Sequence, residues 1–473
     1  MSATQGIGRS ASDGKEGAVR GEVRSDETRV LPRLLDVAYP NAERGEGVWL
    51  YTVDGRKILD GCGGGAMVAC LGHGRRDIVE AATAQAERLP YVYYHHFMNE
   101  PQERLARRLL DVAAPEMARA RFVSGGSEAN EMALRLARGY HVDRGQPERW
   151  RIVSPAQAYH GATFGTLALA GRRALQHPYE PYLVEHRHVP PSTRHFDESG
   201  EEALAELDRV IDEEGAETIA VFFCEPVSAA ALPAYSPGER FWEGLAERRA
   251  RHGFLVCFDE VVTGFGRTGT WFAGHQLPLE PDIVTFGKGL GAGYAPLAGV
   301  LCAEHVYEAV ASGSREFEHG HTWDGAPQFC AVGLAVLEAL VAERLVERVS
   351  ERGPSLREEL ASALAGLEIV REVRGRGFLL GVELVDPRDG DSLLPDELGA
   401  ASLVDSTALD RGLLVTSTHS TPDRYTGDQT LFAPAFTSTD EELAAMVERL
   451  AETLADVERR VKEVLSSRGA APA

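Results

Sequence analysis

Four short runs along the chain share one pattern: an apolar stretch that stops abruptly at polar residues or glycine. They are Arg121-Phe122-Val123-Ser124 before two glycines, Thr218 to Cys224 before Glu225-Pro226, Phe254 to Phe258 before Asp259-Glu260, and Ile283 to Phe286 before Gly287-Lys288. Such runs, separated by helical stretches, predict buried parallel strands of an α/β sheet. Ligands of open α/β sheets bind beyond the carboxyl ends of the strands, which is where Glu225, Asp259 and Lys288 fall. After about Thr322 the pattern changes. Gln328 to Val349 reads as helix, Gly377 to Leu384 and Leu413 to Val415 as short strands, and the chain closes with a helix from about Asp440. Thr439 and Glu442 have the spacing of a capping box. Leu443, Met446, Val447, Leu450, Leu454 and Val457 form one apolar stripe. This ordering predicts a large α/β domain over residues 76–325 and a smaller α+β domain over 326–473, with 29–75 packed against the latter. Residues 1–28 are polar and rich in Gly and Ser, the composition of a disordered tail.

Composition narrows the classes of function. The chain has 44% hydrophobic and 26% charged residues, as a globular protein does, and a formal net charge of −23. That charge argues against nucleic acid and against an anionic membrane surface as partners. It leaves open a small anion held by backbone N–H groups. The six cysteines form no CxxC pair and several sit in apolar runs, so buried thiols in a reducing compartment are expected and a metal site is not. No apolar stretch of membrane-spanning length occurs, and the N-terminus lacks an apolar signal core. The reading is a cytoplasmic protein.

Three features carry candidate chemistry. Ser124-Gly125-Gly126-Ser127-Glu128-Ala129-Asn130 joins a predicted strand to a predicted helix. Its glycines permit close backbone approach, and the helix start offers free N–H groups to an anion. Read alone, Ser127 is equally a helix N-cap. Gly287-Lys288-Gly289 lacks the Ser/Thr of a Walker loop, and Gly289-Leu290-Gly291-Ala292-Gly293 lacks the full pattern of a nicotinamide site. Asp259, at a strand end, needs a partner if buried; a protonated pyridine nitrogen would be one, and a capping role is the plain alternative. Lys288 ends a strand 288 − 259 = 29 residues later. Desolvation lowers a lysine pKa and lets the amine form Schiff bases, whereas a surface lysine at a strand end would do nothing of the kind. Together, a phosphate cradle, a buried carboxylate and a nucleophilic amine are the anchors that pyridoxal phosphate requires.

At this point the residues resemble the class III aminotransferases of the fold-type I superfamily, the group of the ω-amino acid:pyruvate, ornithine and 4-aminobutyrate aminotransferases. The resemblance runs from Leu59-Asp60-Gly61 and Leu71-Gly72-His73-Gly74 to Ala433-Pro434. It is most specific in Phe258-Asp259-Glu260-Val261-Val262-Thr263-Gly264-Phe265-Gly266-Arg267-Thr268-Gly269 and in Pro281-Asp282-Ile283-Val284-Thr285-Phe286-Gly287-Lys288-Gly289. It implies pyridoxal 5'-phosphate as cofactor, with Lys288 as the Schiff-base lysine and Asp259 as partner of the ring nitrogen. Val261 resembles the side chain on one ring face, and Tyr159, in Tyr159-His160-Gly161, the aromatic on the other. Gly126 and Ser127 resemble phosphate binders, and Glu225 matches a glutamate near the ring hydroxyl. Thr322, in His319-Gly320-His321-Thr322, resembles the threonine that reaches the phosphate of the neighbouring subunit. A homodimer with sites at its interface is implied, as is a ping-pong transfer of an amino group from a small-molecule donor to a keto acid acceptor. A pyridoxal-phosphate aminomutase or racemase would use the same anchors.

The sequence also departs from better-known members. Where many amine-type members place Leu-Trp at the pocket mouth, this chain has Gly63-Gly64-Gly65-Ala66-Met67, with Met67 nearest the aromatic position. Leu431 stands where ornithine-like members carry an arginine, and the usual Pro-Pro pair is Pro434-Ala435. Arg424, in the polar loop from Thr421 to Gln429, is the remaining candidate to reach a substrate carboxylate. Arg267, prominent in the motif, reads equally as an ion-pair or a ligand residue.

Overall fold

The computed structural model describes residues 21–24, 26, 28–420 and 425–469. Most of the expected tail over 1–28 lies outside the described residues, and so does Arg424. The chain divides into two compact units, one of Met1–Arg44 with Leu50–Lys57, the other of Gly45–Trp49 with Ile58–Ala473. In the first, Glu22–Val23 pairs antiparallel with Tyr39–Pro40. There the Arg44 guanidinium lies 3.6 Å from the centroid of the Tyr51 ring.

The second unit is built on a seven-stranded sheet. Its strands are β1 (Met117–Val123), β2 (Arg151–Pro155), β3 (Arg187–Val189), β4 (Ile219–Cys224), β5 (Leu255–Glu260), β6 (Ile283–Phe286) and β7 (Ala298–Ala303), in the spatial order β1-β7-β6-β5-β4-β2-β3. All four apolar runs are strands. Pairing is parallel from β6 through β5, β4 and β2 to β3. β7, which no sequence signal distinguished, inserts antiparallel between β6 and β1. The four strands seen in the sequence still run the same way, because two antiparallel pairings restore the direction.

Period-2 alternation sends successive side chains of the central strands to opposite faces. Val221, Phe223, Leu255 and Cys257 join one apolar cluster with Ala129, Met132, Ala133 and Leu136. Those last four belong to the helix α1 (Gly126–Asp143). Phe222, Cys224, Val256 and Phe258 join a second cluster with Leu207, Trp242 and Leu245. Covered on both faces, β4 and β5 bury every residue, which is why they read as continuous apolar runs.

After β7, α2 (Pro327–Ala342) and α3 (Leu345–Leu364) replace the single helix expected over Gln328 to Val349. The break is at Arg344, whose φ of +52° is left-handed and interrupts the helical hydrogen-bond ladder. A four-stranded antiparallel sheet follows, formed by β8 (Val370–Arg376), β9 (Leu379–Leu384), β10 (Thr416–Thr418) and β11 (Gln429–Phe432) in the order β8-β9-β11-β10. Leu413 and Leu414 pair parallel with Leu59 and Asp60. The closing helix is α4 (Asp440–Gly469). Its capping box forms as expected, with Thr439 N donating to Glu442 Oε2 at 3.0 Å and Glu442 N to Thr439 Oγ1 at 3.2 Å. Every residue of its apolar stripe is buried. Among the described residues no helix is long and apolar enough to cross a membrane, and all six cysteines are buried and unpaired.

Candidate active site

The strand register sets the site. Phe258 lies opposite Cys224 and Val284, and Asp259 opposite Thr285. Asp259 therefore stands level with Glu225, one residue beyond β4, and two and three residues below Gly287 and Lys288. The pleat sends Asp259 to the face of Leu255 and Cys257, the face that α1 covers. Glu225, Asp259, Val261 and Lys288 all line one cavity of about 290 Å³, together with Gly126, Ser127, Asn130 and Tyr159.

Asp259 is 5% exposed and well partnered. Asn130 Nδ2 donates to its Oδ2 at 2.8 Å, and His160 Nδ1 lies 2.8 Å from the same oxygen. Val261 N donates to Oδ1 at 3.1 Å and Thr285 Oγ1 at 3.4 Å. The long last contact leaves Oδ1 with capacity for a further donor. Burial pushes the Lys288 amine below its ordinary value, and the charges of Asp259 and Glu225 work against that shift. Lys288 itself adopts a left-handed φ of +32° just past β6. Glu225 accepts from Ser228 Oγ at 3.0 Å and from the backbone N–H groups of Tyr159 and Ala229, each at 3.3 Å. Burial pushes its carboxyl up, with the neighbouring His160 opposing.

The anion end is equally defined. Gly125 caps α1 without a side-chain bond, so the first N–H groups of an 18-residue helix remain for a ligand. Ser127 Oγ accepts from Ala162 N at 3.0 Å, which leaves its own proton to donate. A Cβ on Gly161, whose φ is +134°, would come within 2.4 Å of Ser127 Oγ, and a Cβ on Gly126 within 2.8 Å of Val261 Cγ1. Side chains there would fill the cradle. A cradle of N–H and O–H donors, a carboxylate and a depressed amine around one cavity match the phosphate, ring nitrogen and aldehyde of pyridoxal phosphate.

Other residues fall elsewhere. Met67 is buried in an apolar cluster with Cys62, Val227 and Leu431; its neighbour Val68, not Met67, lines the cavity. Thr322 is exposed, with its carbonyl accepting from Tyr91 Oη at 3.0 Å, and it does not line this cavity. Among the described residues Arg267 makes no ion pair, and it does not line this cavity. It is buried, donates from Nη1 to the carbonyls of Phe378 and Pro434 at 3.0 and 2.6 Å, and stacks 4.5 Å from the Phe436 centroid. Sequence reasoning missed Asn130 and His160 as partners of Asp259. Both stood inside the quoted motifs, but nothing local says that a residue 129 or 99 positions away will meet that carboxylate.

Comparison with known proteins points to one family. The family described as Aminotransferase class-III matches residues 34–454. An uncharacterized aminotransferase of Bacillus subtilis (strain 168), YodT, is 34% identical over 435 residues, covering 91% of this chain and 98% of the relative. Gamma aminobutyrate transaminase 2 of Solanum lycopersicum is 32% identical over 452 residues, 92% of this chain and 95% of the relative. Among solved structures, a thermostable (S)-enantioselective omega-transaminase from Thermomicrobium roseum superimposes with a TM-score of 0.82 at 37% identity, covering 88% of this chain and 92% of that one.

Proposed function

The chain belongs to the class III aminotransferases, enzymes that work with pyridoxal phosphate, and from that premise we propose that it moves an amino group from an amine or an ω- or α-amino acid to a keto acid such as pyruvate or 2-oxoglutarate. The two half-reactions alternate in one pocket. When bound, the cofactor supplies an electron sink for the carbon that loses its proton. Lys288 would hold the cofactor through Nζ and, once displaced by the donor amine, take the proton from the donor carbon at that same atom and return it on the cofactor side. Its depressed basicity suits that work, since a free amine is needed near neutral pH. Asp259 would pair with the ring nitrogen and hold it protonated. Gly126 and Ser127 would bind the phosphate, Val261 and Tyr159 the two ring faces, and Glu225 would lie near the ring hydroxyl. Thr322 would reach the phosphate of a second subunit, in a homodimer whose sites lie at the interface; its exposure in the single chain suits that role.

The observation that carries this reading is the meeting of Lys288, Asp259 and Ser127 around one cavity. The test is a donor screen against pyruvate and 2-oxoglutarate, following both the keto acid consumed and the carbonyl product formed. Stoichiometric consumption supports amino transfer; an isomerised product without an acceptor would replace it with an aminomutase or racemase. The Lys288→Ala protein is expected to lose turnover by on the order of 10³-fold, and turnover at the parental rate would end the assignment.

A further inference from the structure

We infer that Asn130 is a positioning residue for Asp259, an inference that rests on the reading of Asp259 as the partner of the ring nitrogen. Asn130 stands in the first turns of α1 and is 1% exposed. Its amide nitrogen has two protons and two acceptors: Asp259 Oδ2 at 2.8 Å and the backbone carbonyl of His160 at 2.6 Å. Both acceptors lie on the nitrogen side, so turning the amide over would set its oxygen against a carboxylate and a carbonyl. The orientation is dictated by chemistry.

That arrangement has a cost. Asn130 Oδ1 is buried and has no hydrogen-bond partner among the described residues. An orphaned acceptor is unfavourable, and an apolar side chain of similar size would bury none. Core stability therefore does not account for the amide, whereas the two acceptors do. The bond to Asp259, together with that of His160 Nδ1, occupies Oδ2 and leaves Oδ1 as the oxygen with acceptor capacity. The bond to the His160 carbonyl fixes the segment that carries Tyr159. One amide on the phosphate helix thus ties the carboxylate to the Tyr159 segment, and the phosphate, ring-nitrogen and ring-face anchors become a single connected unit.

The test is a double-mutant cycle on the full chain with Asn130→Ala, Asp259→Asn and both together. Three readings are taken: the dissociation constant for pyridoxal phosphate by titration, the pH midpoint of the visible absorbance of the loaded protein, and the unfolding of the cofactor-free protein. Asn130→Ala is expected to bind the cofactor roughly tenfold more weakly and to shift the pH midpoint, as loss of a hydrogen bond to a charged group would. In the Asp259→Asn background the same change should do neither, because an amide at 259 can still accept from Asn130 but cannot pair with a protonated ring nitrogen, so the carboxylate that Asn130 positions has gone. An Asn130→Ala protein with parental affinity and midpoint overturns the inference, as does an equal effect in both backgrounds. If Asn130→Ala does not fold, the near-isosteric Asn130→Asp takes its place. It sets a second carboxyl against Oδ2 and is expected to bind more weakly still, and parental behaviour overturns the inference equally. If Asp259→Asn alone leaves affinity and absorbance unchanged, the proposed role of Asp259 fails. If Asp259→Asn matters and Asn130 does not, only the positioning role fails.

Discussion

Asp259 and Glu260 are consecutive residues of one strand, both carboxylates and both buried, yet they face opposite sides of the sheet and do different work. Asp259, on the side of α1, is held mainly by side chains brought from elsewhere, Asn130 and His160, and borders the cavity that Lys288 and Ser127 also line. Glu260, on the other side, is held by the backbone N–H groups of Ala273 and Gly274 at 2.6 and 2.8 Å and by Thr263 Oγ1 at 2.8 Å. With no cation paired to it among the described residues, burial pushes Glu260 up to about 7. Glu383, another buried carboxylate, shows what cations change. Despite the same burial, His195, Arg374 and Arg194 hold it well below the ordinary carboxylate range. Burial alone does not set the charge of an interior acid; the charged groups gathered around it do. Glu260 has the contacts of a loop anchor, and Asp259 those of a group prepared for a ligand.

Three changes would break or sharpen this contrast. The largest effect belongs to Asp259→Asn, expected to cut turnover on the order of a hundredfold while the thermal midpoint of the cofactor-free protein moves little. Loss of stability without loss of rate per folded molecule would make Asp259 as structural as its neighbour.

Next is the pH dependence of unfolding. Glu260 has a folded pKa of about 7 against an ordinary 4.5, so between those values the native chain holds the extra proton. Its contribution to stability is full below about pH 4.5 and declines as the pH rises through 7, by about 3 kcal/mol in all. In Glu260→Gln this decline should vanish. A constant cost of about 1–3 kcal/mol should replace it, because one backbone N–H then faces an amide donor. Denaturant unfolding at a series of pH values, at fixed cofactor concentration, compares the two proteins; parallel curves would remove Glu260 as the titrating group. Glu383 acts with the opposite sign: its depressed pKa adds stability above about 4.5 that is lost as the pH falls lower.

The smallest effect is a control at the start of α4. Thr439→Ala removes half of the capping box of α4 and should cost about 1 kcal/mol of stability, with rate and cofactor affinity unchanged. A change in either would mean that the C-terminal helix reaches the site.

Much of this was legible in the sequence. Strands β4, β5 and β6 announce themselves because burial on both faces leaves them apolar but for Thr285 until their last residues, and the polar residues at or just past their ends are the ones that line the cavity. The α4 helix is legible for a related reason, since its cap and its stripe are both local. β7 was not legible: an apolar run between glycine and a helix carries no mark of direction, and only pairing with β1 and β6 decides it. Nor was the division between α2 and α3, because a single left-handed residue at Arg344 leaves the composition helical on both sides. Met67 and Arg267 mark a further limit. Their chemistry was read from motif position, whereas the first is packed against Leu431 and the second is bonded to two carbonyls and a phenyl ring.

By itself the sequence determined where apolar runs end, and so which carboxylate and which amine stand at strand termini. That information is local, set by side-chain period and by the chemistry of single residues. Only the tertiary structure decided what surrounds them: that Asn130 and His160 converge on Asp259, that Val68 rather than Met67 walls the cavity, and that Glu260 faces away. These follow from register and packing among segments far apart in the chain, where a displacement of one residue would exchange the two faces of the strand.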